Sequence, residues 1–392
     1  MVSLRHRYYV TRMPAQRPRL TELSLRGFKT IRTLEGFEPG SLCVLIGPNG
    51  AGKSNFISFF RLLSWLLGDP GQLQTYVAQQ GGASALLHCG ARVTPELDAT
   101  LAITTEAGQN EYGFRLFHAA QDTLIFADEW FRFRRPQHGD RPAPGLGAGH
   151  RESQLPAMAS EGNRTARVIL RMLRRIIVHQ FHNTSATARI RAKWSVQDGR
   201  WLKEDAGNLA PFLLRLQRQS LPHYERIVET IRSILPFFAS FELEPEYDTV
   251  LLRWREIGTD YLFNASQAAD GMLRVMALVA LLGQPDRDLP DVLILDEPEL
   301  GLHPYAIGVL ASLIRSVAQH VQVIIATQST SLLDRFDPQN IVVVDRAGEA
   351  SNFRRLDPEA LSAWLDEYTL SELWEKNVLG GRPASDQVAR SR

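Results

Sequence analysis

Short apolar runs at 42–46, 292–295 and 321–327 interrupt an otherwise mixed chain, and each has the length of a strand buried on both faces. Another run follows at 341–345. Helix-period stretches lie between them. One starts near Lys53 and places Phe56, Ile57, Phe60, Leu63 and Leu66 on one side; another covers 305–318. Strands alternating with helices predict an α/β core.

Elsewhere the period falls to two. Leu97, Ala99 and Leu101, then Tyr112, Phe114 and Leu116, then Leu124, Phe126 and Trp130 alternate with polar neighbours. The stretch 77–129 therefore predicts antiparallel strands. Residues 20–33 read as a strand, a turn at Gly27 and a second strand, and alternation returns at 242–254 and 259–263. The segment 136–162 is rich in Pro, Gly, Ala and Ser and predicts a long mobile surface loop.

Residues 165–178 predict a helix with Val168, Met172, Leu173 and Ile176 on one side and Arg167, Arg171, Arg174 and Arg175 on the rest. A second helical stretch, 209–238, repeats Leu213, Leu216, Ile227, Ile231 and Ile234. No heptad persists, so a compact helical insertion is expected rather than a coiled coil.

Composition narrows the class without naming it. The 392 residues are 44% hydrophobic and 22% charged, ordinary for a globular protein. Cys43 and Cys89 are too few for a disulfide framework and point to a reducing compartment, with Cys43 a core residue. No apolar run reaches membrane-spanning length and no secretory signal is evident, so a cytoplasmic location and no membrane partner are expected. Net charge is +1, but it is unevenly spread: 1–19 has five arginines and no acid, and 164–203 has ten Lys or Arg against Asp198. That asymmetry, with Trp194 and Trp201 nearby, fits either a DNA backbone contact or arginines paired within the fold. His303 beside Glu299, and the pair His179 and His182, lack the companions of a metal site.

The chemistry is concentrated in two motifs about 240 residues apart. Gly47-Pro48-Asn49-Gly50-Ala51-Gly52-Lys53-Ser54, with Asn55 next, fits the phosphate-loop pattern between a strand and a helix. Its glycines let backbone N–H groups close around phosphates, and the helix start adds positive potential. Lys53 reaches the terminal phosphates and the Ser54 hydroxyl ligates Mg²⁺. The run 292–295 ends in Asp296 and Glu297. Asp296 is placed to hold Mg²⁺, and Glu297 to activate water as a general base. ATP and Mg²⁺ are therefore the expected cofactors.

With these motifs, the stretches Asp270-Gly271-Met272-Leu273-Arg274, Leu295 through Pro304, and Ala326-Thr327-Gln328-Ser329 make the chain resemble the ABC-type ATPase group that includes SMC, RecF and OLD-family proteins. It is most similar to stand-alone bacterial ATPases of the OLD-like branch, from about residue 20 to residue 383. The resemblance implies an ABC-type head with an antiparallel part and a helical insertion. It divides the chain into a basic arm (1–19), a first head lobe (20–135), a loop (136–164), the insertion (165–240), a second lobe (241–356) and C-terminal helices with a tail (357–392).

It further implies a homodimer sandwiching ATP, in which 265–274 is the signature region and Asp270 and Gly271 meet the partner's nucleotide. Residues 298–304 would sense the opposite subunit, and Gln328 would occupy the switch position. A role in DNA repair or anti-phage defence follows, with control of an effector such as a nuclease.

Two departures stand out: Ala269 where the family has Ser, and Gln328 where it has His. Both predict intact binding with turnover slowed by about one to three orders of magnitude. A regulatory head with little or no hydrolysis is the alternative. A nuclease domain of the chain's own would need more than the 47 residues after Asp345, and transporter subunits place their second motif closer to the first. The glutamine that couples such heads to the metal has Gln79 and Gln80 as candidates, neither supported by spacing.

Overall fold

The computed structural model describes residues 17–135 and 144–380. Most of the basic arm, residues 136–143 of the loop and the tail from 381 lie outside the described residues.

The centre is a six-stranded sheet in the order Ala350–Arg355, Ile341–Ala347, Leu42–Ile46, Gln322–Thr327, Val292–Asp296, Ile176–His179. Its strands are parallel except for the terminal hairpin formed by the first two. Alternate side chains enter two separate cores. Cys43, Leu45, Ile294, Ile324 and Val342 join one; Val44, Ile46, Leu293, Leu295, Val323 and Ile325 join the other. Burial on both faces is why these strands read as continuous apolar runs.

The helix Lys53–Leu66 fills the first core. Phe59 and Leu62 are buried as well as the expected stripe, because a second sheet covers the helix from the other side. Phe56–Phe60 and Phe59–Phe60 meet edge to face at 5.4 Å. The covering sheet is antiparallel, ordered Ile31–Phe37, Arg19–Phe28, Glu96–Thr105, Gly108–Ala119, Thr123–Arg134, Gly145–Gly147. Buried Gln322 fastens the two sheets: its amide exchanges two 2.8 Å bonds with the Leu20 backbone and donates to Gly40 O.

The second core is closed by the helices Leu209–Gln219, Leu221–Ile234, Asp270–Gly283 and Pro304–Ala318. Residues 209–238 are thus two helices, broken at Ser220 ahead of Pro222, and a strand Phe238–Phe241 that begins a small antiparallel sheet with Arg253–Glu256 and Leu262–Asn264.

Several local expectations need correction. The first hairpin turns at Lys29 and Thr30, not at Gly27. Residues 77–95 are not strand: Val77 lies in the last turn of the helix Gln72–Gln79, and a short 3₁₀ turn follows. The loop region contributes an edge strand, Gly145–Gly147, and a helix, Leu155–Ser160. The arginine-rich helix runs Arg164–Leu173 and stops there; Ile176–His179 is a strand beside Val292–Asp296. The β-branched run Ile176-Ile177-Val178 favours that outcome. The hairpin partner Ala350–Arg355 was not foreseen.

Candidate nucleotide site

The phosphate loop leaves the central strand Leu42–Ile46 and closes at the start of the helix Lys53–Leu66. Two of its glycines are required by contact. A Cβ on Gly47 would stand 2.1 Å from Val344 O; Gly52 has φ +117° and a Cβ there would stand 2.0 Å from Ser351 Oγ. The loop is braced from behind. Ser351 Oγ donates to Ala51 O at 2.6 Å and shares a 2.7 Å hydroxyl contact with Thr30 Oγ1, while Asn55 Nδ2 donates to Thr30 Oγ1 at 2.8 Å. Asn55 therefore braces the loop from its rear, and Ser54 is exposed beside it.

Lys53 is buried and donates to Gly47 O and to Pro48 O. Burial lowers its ammonium below the ordinary value, and Glu297, Glu299 and Asp296 pull it partly back. The phosphate lysine and the carboxylates of the second motif therefore share one electrostatic environment, which the two motifs alone could only suggest.

Asp296 ends its strand with 4% of its surface exposed. Burial raises its carboxyl above the usual range, opposed first by Arg61. Its two oxygens differ. Oδ2 accepts from Gln180 Nε2 at 3.0 Å and lies 3.7 Å from Arg61 Nη2. Oδ1 is buried and has no hydrogen-bond partner. A buried, unsatisfied carboxylate oxygen is costly unless something binds it. A hard oxygen donor fits Mg²⁺, which takes one or two protein oxygens and completes its shell with phosphate and water. Asp296 and the Ser54 hydroxyl are the residues that would hold it; the ion would neutralise charge on the terminal phosphates.

The glutamine that touches the Asp296 carboxylate is thus Gln180. Gln79 and Gln80 belong to the end of a helix elsewhere. Gln180 follows the strand Ile176–His179, which the sequence reading had merged into a helix, so its place at a strand end was hidden. His182, from the same segment, donates through Nε2 to Asp296 O at 2.9 Å.

Glu297 has φ +44°, a left-handed conformation that costs a residue with a Cβ. Its N–H donates to Ala326 O at 2.8 Å, and its carboxylate accepts from Gln328 Nε2. Glu299 lies behind it. Thr327 Oγ1 donates to Glu299 Oε1 at 2.5 Å, and burial raises that carboxyl. His303 caps the following helix by accepting from Tyr305 N.

Asp270 and Gly271 open the helix Asp270–Gly283, and the capping position before them is Ala269, which offers no side-chain bond. Ser266 Oγ is occupied by Asn264 Oδ1 at 2.6 Å. Asp270 pairs with Arg191 at 3.0 Å, and Arg191 also donates to Ala265 O and Ala268 O. Gly271 abuts Gly301 O, and Arg274 donates to Phe181 O, His182 O and Leu300 O. The helix Asp270–Gly283 is therefore latched to the segments holding Gln180 and following Asp296. Among the described residues, no hydrogen bond or ion pair joins Asp270 to the phosphate loop of the same chain.

Most of the basic segment is engaged within the fold. Arg174 donates to Leu67 O, Arg175 pairs with Asp291 at 3.0 Å, Arg189 with Asp205 at 3.2 Å and Lys193 with Glu246 at 2.6 Å. Trp194 lies under Arg189. Arg164, Arg167 and Arg171 remain exposed on one helix face, with no ion pair among the described residues.

A parallel core with a phosphate loop at its centre, an acidic strand end two strands away, an antiparallel covering sheet and a helical insertion define a P-loop ATPase of the ABC type. More particularly, residues 42–152 and 156–334 match the family described as "AAA domain, putative AbiEii toxin, Type IV TA system", and the chain belongs to it.

The fold is similar to the crystal structure of an Smc head bound to the C-winged helix domain of ScpA, with a TM-score of 0.59 and 15% identity over 88% of this chain and 99% of that one. It is also similar to the Pyrococcus furiosus Smc head with an extended coiled coil bound to the C-terminal domain of ScpA (0.56, 13%, 89% and 99%). The Pyrococcus yayanosii Smc head with a coiled coil and joint gives 0.51 and 13% over 89% and 99%. No curated protein sequence matches the chain. Among the described residues, no helix is long and apolar enough to cross a membrane.

Proposed function

We propose that this chain binds ATP with Mg²⁺, dimerises on it and hydrolyses it slowly, as a cytoplasmic head of the OLD-like branch. The observation that carries the reading is Asp296 Oδ1, buried and without a hydrogen-bond partner at a strand end whose carboxylates lie within electrostatic range of Lys53. In this reading Gly47 through Ser54 cradle the phosphates with Asn55 bracing them from behind, Ser54 and Asp296 hold the metal, and Glu297 deprotonates the attacking water under the guidance of Gln328. Asp270 and Gly271 address the nucleotide of a second copy.

The cellular role we propose is DNA repair or anti-phage defence through an effector such as a nuclease. The family description names a toxin of a type IV toxin–antitoxin system, which favours defence of the two. Arg164, Arg167 and Arg171 are the proposed contact for a DNA backbone.

Ala269 supports a second reading, a regulatory head that binds ATP and barely turns it over, because no hydroxyl stands at the start of the signature helix. One experiment separates the two: ATP turnover with and without double-stranded DNA, alongside the mass in solution with and without ATP. Turnover that rises with DNA, and a dimer that forms on ATP, supports the first. A dimer without turnover supports the second. No ATP binding overturns both.

A further inference from the structure

We propose that Arg61 is a positioning residue that sets the affinity of the site for divalent metal, by fixing the Gln180 amide and, through it, the orientation of Asp296. Arg61 projects from the phosphate-loop helix, two turns beyond Ser54. Its Nη2 donates to Gln180 Oε1. With that oxygen engaged, the amide presents Nε2 to the carboxylate and donates to Asp296 Oδ2 at 3.0 Å. The same guanidinium stands 3.7 Å from Oδ2. Both contacts fall on one oxygen, so the other is left turned away and unsatisfied. His182 Nδ1 completes the frame by accepting from Gln180 Nε2 at 2.9 Å.

The arrangement carries an electrostatic cost: burial lowers the Lys29 ammonium below its ordinary value, and the charge of Arg61 lowers it further. The compensating contacts are those to Gln180 and Asp296, at the metal carboxylate. Groups that orient a metal ligand from behind typically change metal affinity by about 10–100-fold when removed.

The inference rests on the nucleotide reading above, and its test keeps the two apart. Affinity for a fluorescent ATP analogue is measured on the full chain, first in EDTA and then across a Mg²⁺ titration, for the wild type, Arg61→Gln, Gln180→Ala and the double variant. The expected result is unchanged affinity in EDTA, with half-saturating Mg²⁺ raised by about tenfold or more in each single variant. The double variant should be no worse than either single one, because both act on the same carboxylate. Arg61→Lys, which keeps the charge but cannot span both acceptors, should also raise the Mg²⁺ requirement and serves if Arg61→Gln does not fold. An unchanged or lower Mg²⁺ requirement in the Arg61 variants, or additive losses in the double variant, overturns the proposal. Failure of the wild type to bind nucleotide in EDTA and in Mg²⁺ overturns the nucleotide reading instead.

Discussion

Gln328 donates through Nε2 to the carboxylate of Glu297, so the end of one core strand holds the acid that follows its parallel neighbour. The bond leaves the carboxylate an acceptor and gives it a fixed direction. Glu297→Gln should retain ATP binding while turnover falls by about 10²–10⁴-fold. Single-turnover hydrolysis beside equilibrium binding checks this, and unchanged turnover would remove Glu297 from the chemistry.

Introducing Ser at 269 and His at 328, the residues that the resemblance implies there, should act in the opposite direction. Ala269→Ser together with Gln328→His is expected to raise turnover by about one order of magnitude or more. A steady-state assay at saturating ATP and Mg²⁺ reads it directly. No gain would mean that neither departure limits the rate.

Gly47 has no room for a methyl group because Val344 O stands where it would go. Gly47→Ala should cost about 1–3 kcal/mol of stability and weaken ATP binding together, since strand and loop must part. Denaturant melts with and without ATP measure both; a variant that melts and binds like the wild type contradicts this packing.

His179 gives stability an acid limb. Burial lowers its imidazole from 6.5 to about 4. As pH falls, the unfolded chain therefore takes up the proton first. This contribution to stability is complete above about pH 6.5 and is lost as pH falls toward 4, to a total of about 3 kcal/mol at most. His179→Phe should flatten the pH dependence of the urea midpoint in that window; an unaltered slope would assign it to other groups.

Charge reversal at Arg164, Arg167 and Arg171 should weaken binding to double-stranded DNA and flatten its log–log salt slope by up to about 3. Fluorescence anisotropy at several salt concentrations tests it. Reversal at Arg174 or Arg175 is a poor probe, because those side chains hold Leu67 O and Asp291.

What could be read ahead of the structure was what is local in the chain. The phosphate strand and the limits of its helix follow from a run of buried residues and a glycine turn. Asp296 and Glu297 announced themselves by ending an apolar run. Contacts between distant segments were hidden. Gln180 was concealed because Ile176-Ile177-Val178 continues an apolar pattern that also suits a helix, and only pairing with Val292–Asp296 makes it a strand. For Arg191 the sequence left a DNA-backbone contact and an internal pair equally open, because it shows a charge but not its partner, Asp270. Thr30 and Ser351, neutral and 321 positions apart, carried no signal at all.

That last pair bears on how the molecule is made. The phosphate loop leaves the ribosome well before its neighbouring strands and its brace, Gln322–Thr327, Ile341–Ala347 and Ser351, which follow far along the chain. Pairings of such high sequence separation form late, after the entropy of a long loop has been overcome. A nascent chain that has not passed Ser351 carries the motif without its brace, so the loop cannot take its final shape until that residue has been made.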